Sequence, residues 1–203
     1  MGEYREKDWK DIEVYEVELK FPVADTAPLV EQLSALAARF REPIEQVDRY
    51  FAHPVRNFAK TDEALRLRRV ADTVAVTWKG PRVDAATKIR REIELGVLSC
   101  GPTGQATIAA WTELLEALGF REVLEVAKTR RPARVLWHGS EVEVAIDSVV
   151  GLGDFAELEI VAREGEVPLA QDCVESLARE VGLAQPEPAS YLELLLRQQA
   201  PPR

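Results

Sequence analysis

Tyr15-Glu16-Val17-Glu18-Leu19-Lys20-Phe21 decides how this chain folds. Glu16, Glu18 and Lys20 are two residues apart, with Val17, Leu19 and Phe21 filling the gaps. Side chains on a strand alternate between faces, so a strand here puts both carboxylates and the ammonium on one face. The apolar set takes the other. Two neighbouring carboxylates repel, and a cation two residues on relieves only part of that. Such a face is either open to water or built to hold something charged. Taken alone, the stretch reads as a solvated strand face.

The composition narrows the choice. The chain has 203 residues, 46% of them hydrophobic, which suits one large domain or two small ones. No repeat, low-complexity tract or linker divides it, so residues 1–203 are expected to form a single domain. Its core spans 12–161, with C-terminal helices over 168–198. The 35 acidic and 26 basic residues leave a net charge of −9, which argues against a general nucleic-acid or anionic-membrane surface. No apolar run is long enough to cross a membrane, and the first residues have no signal-peptide core. Cys100 and Cys173 stand far apart and fit plain thiols in a reducing cytoplasm.

The pattern of Glu16 to Lys20 recurs along the chain. Arg66 and Arg68 share a face against Leu65 and Leu67. Lys88, Arg90, Glu92 and Glu94 alternate with Ile89, Ile93 and Leu95. Lys128 and Arg130 are in phase, as are Glu143 and Asp147, and Glu157 and Glu159. Lys79 closes a β-branched strand from Val74. Strands are also expected over 46–51 and 120–130, and a hairpin over 135–148. Helices are expected over 27–40, 105–118, 169–181 and 191–196 from their apolar spacing, with Pro43 ending the first.

The apolar strand faces need a core, which those helices can supply. The charged faces must then point elsewhere together. An antiparallel sheet curled into a barrel gives them one shared interior. The alternative is an open antiparallel sheet with a wet, salt-bridged face. The number of strands carrying the pattern favours the barrel, in an α+β fold with helices outside. Buried charges must be paired or liganded. The near-equal numbers permit pairing, and spare carboxylates permit a divalent cation.

The residues carry a resemblance. Glu16-x-Glu18-x-Lys20 is similar to the signature of the CYTH superfamily, the triphosphate tunnel metalloenzymes. It is followed by Asp48-x-Tyr50-Phe51, the run from Lys60 to Arg68, Lys79-Gly80-Pro81 and Lys88-x-Arg90-x-Glu92-x-Glu94. Then come Lys128-x-Arg130, Asp147 and the run from Gly151 to Glu159. The Tyr-Phe strand, the Thr-Asp-Glu-Ala-Leu-Arg run and the Lys-Gly-Pro resemble the class IV adenylyl cyclase branch more than the thiamine-triphosphatase branch.

The resemblance implies an eight-stranded antiparallel tunnel that takes ATP or another triphosphate. It implies Mg²⁺ or Mn²⁺ on Glu16, Glu18, Asp147, Glu157 and Glu159, since hard cations want oxygen ligands. Lys20, Arg66, Arg68, Lys79, Lys88 and Arg90 match the substrate-binding set. Lys128 and Arg130 match the catalytic pair. A homodimer is also implied, with no interface legible. The leading expectation is adenylyl cyclase chemistry, ATP to cyclic AMP and pyrophosphate. The alternatives are a triphosphatase on the same tunnel and a non-catalytic nucleotide- or polyphosphate-binding module. So many carboxylates beside an anion speak against the last. His53 and His138 read as a loop and a turn residue, Trp78 and Trp111 as packing residues, and Arg69 and Arg91 as out of phase with the site.

Overall fold

A computed structural model describes residues 14–81, 89–97 and 103–199. The first strand, β1, runs Val14–Val23 and leads into α1, Thr26–Ala35. A two-residue strand β2, Arg39–Phe40, precedes β3, Ile44–Ala52. A single turn of helix α2, Phe58–Thr61, precedes β4, Ala64–Val70, and β5, Thr73–Lys79. After β6, Arg90–Val97, come α3, Gly104–Ala117, and β7, Arg121–Trp137. The chain continues through β8, Ser140–Val149, β9, Gly153–Arg163, α4, Val167–Glu180, and α5, Tyr191–Gln199.

All neighbouring strands are antiparallel, in the order β7-β3-β4-β5-β6-β1-β9-β8, and β8 pairs back to β7. The sheet therefore closes into an eight-stranded barrel, with β2 added outside on β7. Closure removes both sheet edges and leaves one interior. The expected tunnel with helices outside is what the chain forms.

The two faces divide as the period-two pattern requires. Val17, Leu19 and Phe21 turn outward and are buried beneath α1 and α4, together with Val142, Val144, Leu158, Val174 and Leu177. On the far side Leu67 and Val74 pack against Ile108 and Leu115 of α3. A third cluster gathers Tyr50, Val126, Val149 and Phe155 on Tyr191 of α5. Its strand residues share their phase with the charged set, so this apolar cluster belongs to the barrel's interior side.

Two boundaries differ from expectation. The first helix stops at Ala35 instead of reaching residue 40, because Ala37 takes a left-handed conformation (φ 58°) that no helix can continue. Phe40 then joins β2. The strands expected over 120–130 and 135–137 are one, β7, which carries Pro132 in its middle opposite Ala145. Of the alternating run from Lys88 to Leu95, β6 covers Arg90 onward, and Lys88 lies outside the described residues.

Candidate active site: two braced cation pairs and a carboxylate wall

Arg66 and Arg68 leave β4 on the inner face, and Asp48 of β3 meets them. Asp48 and Arg68 are register partners, and the guanidinium forks onto the carboxylate: Nε donates to Oδ1 and Nη2 to Oδ2, both at 2.7 Å. Arg66 donates to the same Oδ2 from Nη1 at 3.5 Å and to Thr77 Oγ1 from Nε at 3.3 Å. Asp48 is 2% exposed. Burial alone would push its carboxyl up, but Arg66 and Arg68 outweigh that and hold it well below the usual carboxylate range. One ionised aspartate thus fixes two guanidinium groups.

The same arrangement recurs around Asp147 of β8. Arg130, its register partner on β7, forks onto it at 2.7 and 2.6 Å. Lys128 Nζ donates to Oδ2 at 2.7 Å, and Tyr191 of α5 donates its hydroxyl to that oxygen at 3.0 Å. Arg130 Nη2 also bonds Glu157. Burial, then the neighbouring Arg130, lowers Lys128 to about 8 against the opposing pull of Glu157 and Asp147.

Glu16, Glu18, Glu157 and Glu159 lie on β1 and β9. Glu18 is the register partner of Glu159, which in turn faces Glu143 of β8. In the eight-membered ring β1 stands opposite β3, and β9 opposite β4. The carboxylate wall therefore looks across the bore at the Asp48 cation pair. Burial raises Glu16 to about 7, a rise that Lys79 opposes and Glu92 and Glu18 reinforce. Burial and then the charges of Glu16 and Glu18 raise Glu159 to about 8. Lys79 bonds its register partner Glu92 and approaches Glu16 at 3.6 Å.

Most of the expected site residues come together here. Glu16, Glu18, Glu157, Glu159, Arg66, Arg68, Lys79, Arg90, Lys128 and Arg130 all line one cavity of about 790 Å³. Two do not line it. Lys20 is 1% exposed; its ammonium bonds the carbonyl of Ala189 and sits over the Tyr191 ring, 4.3 Å from the centroid. The segment before α5 covers it, and Lys20 ties that segment to β1. Asp147 is wholly buried, and Lys128, Arg130 and Tyr191 all bond its carboxylate. In this arrangement it braces the two cations. His53 is structural: Nδ1 accepts from the amides of Val55 and Arg56, and the ring packs on Phe58 and Phe120. His138 sits in the β7–β8 turn.

The residue pattern passed over Asp48, Thr77 and Tyr191. Asp48 was visible only as a member of the Asp-x-Tyr-Phe run. Tyr191 gave no signal, because its role depends on where α5 docks.

The sequence model of the CYTH domain matches residues 14–187. The chain belongs to the CYTH family. A CYTH protein of Methanocaldococcus jannaschii, named as a candidate adenylate cyclase, is 38% identical over 144 residues, covering 71% of this chain and 75% of that protein. Adenylate cyclase CyaB of Aeromonas hydrophila is 29% identical over 186 residues, 89% of this chain and 88% of its own. A solved structure of a Pyrococcus horikoshii protein superposes with a TM-score of 0.78 at 39% identity, covering 90% of this chain and 99% of that one. The CYTH domain is a triphosphate tunnel, and the family implies a divalent metal.

The carboxylate wall suits that metal in donor chemistry. It offers hard oxygen ligands, and a divalent cation would offset the burial and the added carboxylate repulsion that raise Glu16 and Glu159. Among the described residues no group of three or more His, Cys, Asp or Glu side chains is placed, as it stands, to hold a metal ion. Mg²⁺ keeps several waters and takes other ligands from substrate phosphates, so an open carboxylate set is compatible with it.

Proposed function

We propose that the protein is a metal-dependent adenylyl cyclase converting ATP to 3′,5′-cyclic AMP and pyrophosphate. The observation that carries this reading is the carboxylate wall of β1 and β9 standing across the bore from the Asp48-braced cation pair and beside the Asp147-braced one. The names of the Methanocaldococcus and Aeromonas relatives direct that chemistry toward cyclisation.

Phosphoryl transfer needs positioning and charge neutralisation more than a protein nucleophile. Arg66 and Arg68, already oriented by Asp48, bind the outer phosphates, and Lys79 and Arg90 add charge beside them. Lys128 and Arg130, oriented by Asp147, lie at the α-phosphoryl group. There the 3′-oxygen of the ribose forms a bond to phosphorus as the bond to the bridging oxygen of the β-phosphate breaks. The electron pair leaves on pyrophosphate, and the hydroxyl proton passes to solvent. A divalent ion held by Glu16, Glu18 and Glu159 would supply neutralisation of the phosphate charge and a lower pKa for the attacking hydroxyl. Glu157, bonded to Arg130, links the carboxylate wall to the catalytic pair. Arg130 is held in advance of the reaction, so it does not have to reorganise as charge builds.

Incubation with ATP and Mg²⁺ or Mn²⁺, followed by mass spectrometry, tests the reading. Cyclic AMP with equimolar pyrophosphate is expected. ADP with orthophosphate would place the attack on the terminal phosphorus and overturn it.

A further inference from the structure

Helix α5 begins at Tyr191, past the last residue of the family match at position 187, yet it forms one wall of the tunnel. Its first turn is fixed by three contacts. Tyr191 bonds Asp147, its ring lies under the ammonium groups of Lys20 and Lys128, and Lys20 holds the carbonyl of Ala189. Leu192 and Leu196 are four residues apart and so share a helix face. Both line the cavity, together with Phe58 of α2 and Val123 of β7.

A register shift explains why Val123 is there. The β3–β7 pairing slips between Tyr50 and Phe51, from Tyr50↔Leu124 to Phe51↔Glu122, so Val123 has no direct partner and departs from the strand's alternation. Val123 and Leu196 are 39% and 40% exposed, a poor use of apolar surface unless something covers it. This apolar end adjoins the cations: Tyr50 is the register partner of Arg66, and Tyr191 touches the Lys128–Asp147 pair. The cavity, at about 790 Å³, is of the size that encloses a drug-sized organic ligand, roughly 300–1,000 Å³. A bare triphosphate would fill only its charged part.

We propose that α5, with Phe58 and Val123, forms a base-binding wall that makes the tunnel select a nucleoside triphosphate over inorganic triphosphate. The inference rests on the proposed triphosphate site beside it. A planar base offers two apolar faces to Leu192, Leu196, Val123 and Phe58, and its polar edge meets Asn57 and Ser190, which also line the cavity. Attachment to the bound triphosphate brings the base there at high effective concentration.

The test is calorimetric binding of a non-hydrolysable ATP analogue and of inorganic triphosphate in metal-free buffer. It compares wild type, Leu196→Asn and the Leu192→Asn/Leu196→Asn double variant. Wild type is expected to bind the analogue more tightly than inorganic triphosphate. The double variant should bind the analogue about tenfold more weakly, while inorganic triphosphate stays within about twofold. The half-exposed Leu196 site lets the single variant report, with a smaller loss, should the double variant misfold. Equal weakening of both ligands would make α5 a structural prop only. No change in either would put the base elsewhere, and both results overturn the proposal. Wild-type protein that binds neither ligand, in this buffer or with Mg²⁺ added, would defeat the triphosphate site itself, and the base wall with it.

Discussion

Arg130 and Asp147 are register partners on β7 and β8, and the guanidinium closes a two-bond fork on the carboxylate at 2.7 and 2.6 Å. Asp48 and Arg68 repeat the relationship on β3 and β4. In both places a buried aspartate also takes the cation two residues before its arginine, Lys128 or Arg66. The tunnel thus holds two cation pairs at fixed angles, each neutralised enough to be buried.

If Asp147 braces cations and is not a metal ligand, Asp147→Asn should separate stability from metal affinity. Removing one partner of a buried ion pair costs about 3–5 kcal/mol. Chemical denaturation should show a loss of that order, while titration calorimetry finds the Mg²⁺ or Mn²⁺ dissociation constant changed by less than about threefold, under 0.7 kcal/mol. A large loss of metal affinity with little loss of stability would return Asp147 to the metal set.

The carboxylate wall should make the metal-free protein less stable as pH rises. Glu16 and Glu159 are raised to about 7 and 8 in the folded state, from an ordinary 4.5. Between about pH 4.5 and 8 the folded state therefore binds more protons than the unfolded one, and stability falls with rising pH. Glu16→Gln and Glu159→Gln remove the repulsion, so each should raise the metal-free melting temperature at the upper end of that window. A gain of 1 kcal/mol corresponds to about 2–4 °C in a chain of this size. Both variants should lose turnover with ATP. Wild-type turnover in either would remove the metal assignment.

Arg66→Ala and Arg68→Ala should weaken binding of an ATP analogue by about 2–5 kcal/mol, the loss when a buried charge-assisted partner is left alone. Arg69→Ala should leave the dissociation constant nearly unchanged. Arg69 pairs in register with Val47 and Val74, in the phase opposite Asp48 and Arg68, and does not line the cavity. Equal losses at all three positions would mean that the inner face of β4 is misassigned.

Much of this site was legible in residues two apart, because strand alternation is local. Glu16 with Glu18, Arg66 with Arg68 and Lys128 with Arg130 needed only that rule, and a closed barrel gave their faces a common interior. What could not be read depended on partners distant in the chain. Lys20 has the phase of Glu18, yet Ala189 and Tyr191, about 170 positions away, take its ammonium. Leu124 and Val126 blurred the pattern of β7 because their inner-face neighbour is α5, whose docking no period predicts. Asp48 lacks a charged neighbour at i±2 on its own strand, so only the fold reveals it as the brace of two arginines. Phe40 fitted the apolar spacing of α1, and the stop came from one left-handed residue, Ala37.

In the proposed cyclase reaction Arg130, braced by Asp147, acts on the α-phosphoryl group in the transition state. The measurement that tests it most directly is kcat for cyclic AMP in Arg130→Ala, beside the dissociation constant of a non-hydrolysable ATP analogue. kcat should fall by about 10²–10³, the loss expected for one preorganised donor to developing charge. Binding should change far less, because Arg66, Arg68 and Lys79 still hold the triphosphate. A variant that loses binding but keeps kcat would make Arg130 a general phosphate clamp and rule out its action at the α-phosphoryl group.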